Sequence, residues 1–274
     1  MSDELPRTSM AQFVSRQKQI NQIRISAVIN VIICILVFIC AYPRSLFADA
    51  KPTQQNGSNK MELSLTEQLA YSTVRIEVIY PDGRHGTGTG FFFSLLADGN
   101  RNVPVIVTNW HVVAGSQSGS FSISLADDNG FPKEASYDSI KLEKFEQRWM
   151  HHPNPNIDLA IMPIADVLNE ANNKGLRLFY RSLDKTLIPS DADLADLTAV
   201  EDILMVGYPI GLWDSHNNYP IFRKGITATH PAKNYNAKKE FVIDAACFPG
   251  SSGSPVFLAD VGSYTNRRHG GFVC

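Results

Sequence analysis

Residues 250–255 read Gly250-Ser251-Ser252-Gly253-Ser254-Pro255. A Gly/Ser-rich hexapeptide closed by proline is a tight turn. This one pushes the Ser252 hydroxyl out of the backbone. It also aims the N–H groups of Gly250 and Ser252 at one point, where an oxyanion can sit. A turn of this kind needs strands on either side of it. Phe241 to Ala245 and Pro255-Val256-Phe257-Leu258 both read as strands.

Two upstream residues complete the chemistry that a hydroxyl nucleophile needs. His111 lies in Thr108-Asn109-Trp110-His111-Val112-Val113, and Asp158 in Ile157-Asp158-Leu159-Ala160-Ile161. A free hydroxyl is a poor nucleophile, so a base must take its proton and later return it to the leaving group. A carboxylate on the second ring nitrogen fixes the tautomer of that base and stabilises the imidazolium. Taken singly, each feature has an ordinary structural explanation: a core histidine, a strand-entry aspartate, a turn. Their order and spacing separate them from coincidence. The chain runs His, Asp, Ser, with gaps of 47 and then 94 residues.

Other hydrolytic triads run Ser, Asp/Glu, His or Asp, His, Ser. From about residue 70 onward the chain resembles the trypsin-like serine peptidases, in their bacterial HtrA-like and glutamyl-endopeptidase-like branch. Val107-Thr108-Asn109-Trp110-His111-Val112 resembles that family's histidine motif, and Asp158-Leu159-Ala160-Ile161 its Asp-Leu-Ala motif. Ile243-Asp244-Ala245-Ala246 with Pro249-Gly250-Ser251-Ser252-Gly253 resembles the run into its serine. The resemblance implies an all-β fold of two six-stranded antiparallel barrels, the first over about 70–165 and the second over about 200–274. It implies catalytic His111, Asp158 and Ser252, an oxyanion hole at Gly250 and Ser252, and no cofactor. It also places Ala246, six residues before the serine, at the base of the primary specificity pocket. Alanine cannot pair with a basic side chain, so a neutral, small or aliphatic preference is expected there.

The chain has 274 residues and a net charge of −2, from 25 basic and 27 acidic residues. No long single-sign run supports nucleic-acid binding. Residues 25–42 carry no charge and follow Arg16, Lys18 and Arg24. They read as a transmembrane anchor or signal segment after a cytoplasmic stretch at 1–24, with a linker at 43–61 and the peptidase domain at 62–274. Ala48-Asp49-Ala50 is a cleavage candidate. Either outcome puts the peptidase domain outside the cytoplasm, in the periplasm or at the cell surface, or secreted. Of the four cysteines, Cys34 and Cys40 lie in the apolar run. A Cys247–Cys274 bridge suits an exported domain, and a buried thiol at Cys247 is the simpler reading.

Along the folded part, Leu63 to Tyr71 reads as a short helix and Val74 to Ile79 alternates as a strand with one buried face. Gly86-Thr87-Gly88-Thr89-Gly90 is not a dinucleotide loop, because Phe91 takes the sixth position and a strand follows. The resemblance puts it on the strand facing the histidine. Further strands are expected at 103–108, 121–125, 139–147, 159–163 and 222–229. The connection at 164–200 should hold a helix around Val167 to Asn172. His151 and His152 are adjacent, so in an extended segment they face opposite ways and chelate poorly. Only 22 residues follow Ser252, which suggests an incomplete second barrel. That keeps a second reading open, an inactive relative acting as an envelope binding or scaffolding protein. An α/β-hydrolase esterase fails on triad order and on Ser254, where that motif needs glycine. Peptide or protein is the expected partner; oligomeric state is not readable.

Overall fold

The computed structural model describes residues 63–98 and 101–259. The apolar run at 25–42, the linker, the cleavage candidate and Cys274 lie outside the described residues. Among those described, no helix is long and apolar enough to cross a membrane.

Helix α1 (Leu65–Ala70) opens with a capping box. The Glu67 backbone N–H donates to Ser64 Oγ at 3.3 Å, and the Ser64 N–H donates to the Glu67 carboxylate at 2.7 Å. The first sheet follows, with eight strands, all paired antiparallel. They are β1 (Thr73–Ile79), β2 (His85–Asp98), β3 (Arg101–Thr108), β4 (Ser118–Ala126), β5 (Pro132–Glu143), β6 (Met150–His151), β7 (Ala160–Pro163) and β8 (Leu178–Phe179). Their order is β5-β4-β1-β2-β3-β7-β6, with β8 added to β4. A single helical turn, α2 (Trp110–Val113), follows β3 directly. Helices α3 (Ala165–Asn173) and α4 (Asp191–Ala195) lie in the connection to the second sheet. That sheet has four strands, β9 (Asp202–Gly207), β10 (Ile221–Thr227), β11 (Ile243–Asp244) and β12 (Val256–Leu258), in the order β11-β10-β9-β12.

The residue pattern explains which strands lie where. In β1, Val74, Ile76 and Val78 are buried, while Arg75 and Glu77 share the opposite face and pair at 2.7 Å. That is the alternation of a strand with one buried face. The apolar stretches Phe91-Phe92-Phe93 of β2 and Val105-Ile106-Val107 of β3 do not alternate, because both of their faces are covered. Phe92 and Ile106 point into a core with Ile76, Phe121 and Phe145. Phe91, Phe93, Val105 and Val107 point the other way, into a second core with Val206 and Phe257 of the second sheet. Each fully buried large side chain contributes roughly 1.5–3 kcal/mol. The shared second core therefore fastens the two sheets together.

The architecture is mostly β, with two sheets in a chymotrypsin-like arrangement. It departs from the expected pair of six-stranded barrels: among the described residues neither sheet closes, and the strand counts are eight and four. Strands β5 and β6 end the first sheet without meeting. In the second sheet, residues 228–242 form no strand of the ladder; they hold only local pairings, such as Ala228 N–H to Val242 O at 2.7 Å and an isolated bridge between Tyr235 and Lys238. His230 to Lys239 is polar, and Asn236 and Ala237 take positive φ values of 49° and 62°. Backbone of that kind interrupts a ladder. The strand expected at 241–245 shrinks for the same reason to Ile243–Asp244. Strand β5 covers Pro132–Glu143, displaced toward the N-terminus from the expected 139–147, because it pairs with nearly all of β4.

Candidate active site

Strand β3 delivers the chain to α2, whose Val112 and Val113 are buried and hold the turn against the sheet. The close approach is possible because β2 has glycine opposite it. A Cβ at Gly88 would lie 2.3 Å from Val112 Cγ1. The anchored turn leaves the His111 ring half-exposed beside β7. Asp158 stands just before β7 and is held there by its backbone, since Asn109 Nδ2 donates to the Asp158 carbonyl at 2.7 Å. The Asp158 carboxylate accepts the His111 backbone N–H at 2.9 Å on one oxygen and the His111 Nδ1–H on the other. With Nδ1 protonated, Nε2 is left as the acceptor, and Ser252 Oγ lies 2.9 Å from it.

The carboxyl of Asp158 feels opposing forces. Its partial burial pushes the pKa up; the hydrogen bonds from the His111 ring and backbone more than reverse this and hold it below the usual carboxylate range.

Ser252 arrives from the other sheet, on the turn between β11 and β12. Gly250 and Gly253 adopt φ of 86° and 83°, the left-handed region that glycine enters without penalty. The turn is knitted internally, with Ser251 N–H donating to Phe248 O at 2.9 Å and Ser254 N–H to Ser251 O at 3.0 Å. Among the described residues, neither the Gly250 nor the Ser252 N–H meets an acceptor. Ala246 is exposed, and its carbonyl accepts Arg223 Nη1 at 3.0 Å.

Two residues that sequence reasoning did not single out hold this turn in place. Thr89, fully buried in β2, uses all its polar groups, the hydroxyl and N–H across the seam and the carbonyl within its own sheet. Its hydroxyl donates to Gly250 O at 2.9 Å and accepts the Tyr208 N–H at 3.0 Å. Its backbone N–H donates to Ser252 O at 2.9 Å, and its carbonyl accepts the Thr108 hydroxyl at 2.6 Å. Arg223 of β10 reaches under the turn, with Nη1 donating to Ser251 Oγ at 2.6 Å. The available clue for Thr89 was a pair of hydroxyls, Thr87 and Thr89, inside a run of glycines; for Arg223 it was a pair of adjacent charges, Arg223 and Lys224, in β10.

The neighbouring segment is strained. Ile210 takes φ 55°, an unusual conformation for a β-branched residue, while its N–H donates to Pro249 O at 2.5 Å. Cys247 is partly buried and forms no disulfide with a described residue. His151 stacks near Trp110 with ring centroids 4.8 Å apart, and His152 is buried. Among the described residues, no three His, Cys, Asp or Glu side chains gather into a metal-binding group.

Two antiparallel sheets sharing a core, with a serine, a histidine and an aspartate gathered on their seam, define the chymotrypsin-like class. The chain belongs to the trypsin-like peptidase domain family, which residues 88–263 match. No curated protein matches the chain. Among solved structures it is similar to the HtrA-type protease AlgW with tripeptide, at 18% identity over 70% of this chain and 48% of that one, with a TM-score of 0.40. It is similar to the Rv3671c protease from M. tuberculosis in its active form, at 19% identity over 76% of this chain and 78% of that one, with a TM-score of 0.38. It is also similar to the serine endoprotease from Yersinia pestis, at 17% identity over 73% and 55%, with a TM-score of 0.38. The chain thus spans about half the length of the first and last of these proteins.

Proposed function

We propose that this chain hydrolyses peptide bonds with Ser252 as nucleophile, His111 as general base and then acid, and Asp158 as the group that orients and stabilises the imidazole. The observation carrying this reading is the unbroken series from the Asp158 carboxylate through the His111 ring to Ser252 Oγ, 2.9 Å from Nε2. Ser252 Oγ attacks the scissile carbonyl as its proton passes to Nε2. The carbonyl oxygen becomes an oxyanion, received by the Gly250 and Ser252 N–H groups, each contributing roughly 3–4 kcal/mol to the transition state. His111 then protonates the leaving amine, an acyl-enzyme remains, and water activated by the same imidazole releases the acid. None of these steps requires a metal or an organic cofactor.

The test is fluorophosphonate labelling of the folded protein beside a Ser252→Ala control, read by intact mass. One adduct on the parent and none on the control is expected. A folded parent that takes no adduct refutes an activated Ser252 and favours the inactive binding protein instead. We also infer from the apolar run at 25–42, preceded by basic residues, that the peptidase domain works outside the cytoplasm. Protection of the domain from added protease in spheroplasts would contradict that placement.

A further inference from the structure

Arg75 lies on the face of β1 opposite Val74, Ile76 and Val78, yet its side chain is only 14% exposed. The cover comes from the second sheet, whose β9–β10 loop crosses back over β1. Arg75 Nε donates to Gly211 O at 3.2 Å, and the guanidinium lies 5.3 Å from the centre of the Trp213 ring. Glu77, on the same face, takes Nη1 at 2.7 Å. Further along the loop, Asn218 Nδ2 donates to Ser124 Oγ of β4 at 3.2 Å, and the Tyr219 hydroxyl meets that of Tyr71 at 2.9 Å. An arginine paired only with Glu77 on an open strand face would stay hydrated and gain little. Here it clamps a loop of one sheet onto a strand of the other.

The clamped turn, Tyr208 to Leu212, is also the one that abuts the nucleophile segment. Gly211 N–H donates to Tyr208 O at 3.1 Å and Leu212 N–H to Pro209 O at 2.7 Å. The Ile210 N–H is left to point out of the turn, to Pro249 O at 2.5 Å. Pro249–Gly250 is a trans peptide, so its carbonyl and its N–H point in opposite directions. By holding the carbonyl, Ile210 sets the direction of the Gly250 N–H at the other end of the same plane. The two segments are in close contact, since a Cβ at Gly250 would lie 2.6 Å from Tyr208 O and 3.2 Å from Ile210 N. Thr89 bonds to Gly250 O and so holds the next peptide, Gly250–Ser251, a different plane. Ile210 presents its N–H at a φ of 55°, a conformation that persists only where the surroundings enforce it. Arg75, bonded to the carbonyl of the very next residue, supplies that constraint. We propose that Arg75 is a positioning residue of the oxyanion hole: through the 208–212 turn it keeps the Gly250 N–H directed at the oxyanion. The inference rests on the peptidase reading above.

The experiment is saturation labelling of the full chain with an alkyl fluorophosphonate, which separates the half-saturating concentration from the rate of the bonded step. In that step Ser252 Oγ bonds to phosphorus, its proton passes to His111, fluoride leaves, and negative charge builds on the phosphoryl oxygen that the hole must hold. Circular dichroism verifies that each variant is folded. Arg75→Met should lower the saturated rate by about 10²-fold, the scale of one lost oxyanion-hole donor, and leave the half-saturating concentration within about threefold. Arg75→Lys still offers a donor to Gly211 O and should recover about tenfold of that loss. Gly211→Ala approaches from the other side, with a Cβ 3.2 Å from Arg75 Nη2 at a φ of 67°, and should lower the saturated rate with Arg75 intact. A folded Arg75→Met that labels at the parent's saturated rate overturns the inference and leaves the peptidase reading standing. So does a loss that Arg75→Lys fails to relieve, or one that falls on the half-saturating concentration, since either marks a prop for the fold alone. If Arg75→Met does not fold, parent-like saturated rates in both Arg75→Lys and Gly211→Ala overturn it equally. A parent that takes no adduct overturns both readings.

Discussion

Replacing Thr89 by valine keeps the shape of the side chain and removes the hydroxyl. In the folded protein that hydroxyl serves two buried groups, the Gly250 carbonyl at 2.9 Å and the Tyr208 N–H at 3.0 Å. Tyr208 is 1% exposed, so no water can substitute. Each orphaned group costs about 1–3 kcal/mol. The new methyl returns less than about 1 kcal/mol. The expected net loss is about 2–4 kcal/mol, read as a lower midpoint in urea unfolding. The Gly250 carbonyl loses the contact that fixes the Gly250–Ser251 peptide, directly before the serine. Fluorophosphonate labelling of Ser252 should therefore slow by about tenfold or more, even where the variant is fully folded. Thr89→Ser keeps both bonds and loses one methyl. It should cost about 1 kcal/mol and label at close to the parent rate. If the valine and serine variants match in both stability and labelling rate, the hydroxyl is not what positions the turn, and the reasoning is wrong.

Other outcomes follow from the same geometry. Gly253→Ala should abolish labelling and destabilise by more than about 2 kcal/mol, since a Cβ there would lie 2.0 Å from the Thr89 carbonyl at a φ of 83°; circular dichroism melting checks the stability half. Asp158→Asn should leave the melting temperature within a few degrees and cut peptide hydrolysis by a factor on the order of 10⁴. The hydrogen bonds from His111 hold the Asp158 pKa down despite its burial, so its folded value lies below its unfolded one. Its contribution to stability is therefore complete above the ordinary carboxylate value of about 4 and fades as pH falls through the lower folded value. Ile210→Gly relieves a left-handed β-branched residue and should raise the urea midpoint by roughly 1 kcal/mol equivalent; a fall would show that the exposed isoleucine side chain earns its conformation through contacts elsewhere.

Much of the fold is legible in residue order because the relevant physics is local. Val74 to Ile79 alternates and forms β1; Val103 to Thr108 is an apolar run and lies inside β3. The helix expected around Val167 to Asn172 is α3, one or two residues longer at each end. Where alternation and turn chemistry compete, the reading slips. Phe241 to Ala245 has strand-forming residues, but the preceding polar turns leave it only two residues to pair. The residues of the candidate site stood out because each carries a distinctive local motif. Their supports did not. Thr89 acts on a carbonyl 161 residues away, and nothing local distinguishes it from Thr87. Arg223 and Lys224 are adjacent charges in one strand, and only the register against β9 decides which of them turns inward.

The division of the seam between the two sheets also bears on the order in which a newly made chain acquires activity. His111 and Asp158 belong to the half that emerges first from the ribosome, and Ser252 comes only after the four-stranded half has nearly all been synthesised. On the proposed mechanism, the nucleophile is missing throughout the interval in which the first sheet folds. Thr89 waits in the finished first half with its hydroxyl directed at a turn that has not yet been made. Docking of the second sheet thus serves as a built-in delay, and a chain stalled before Gly250 would be folded in part and chemically silent.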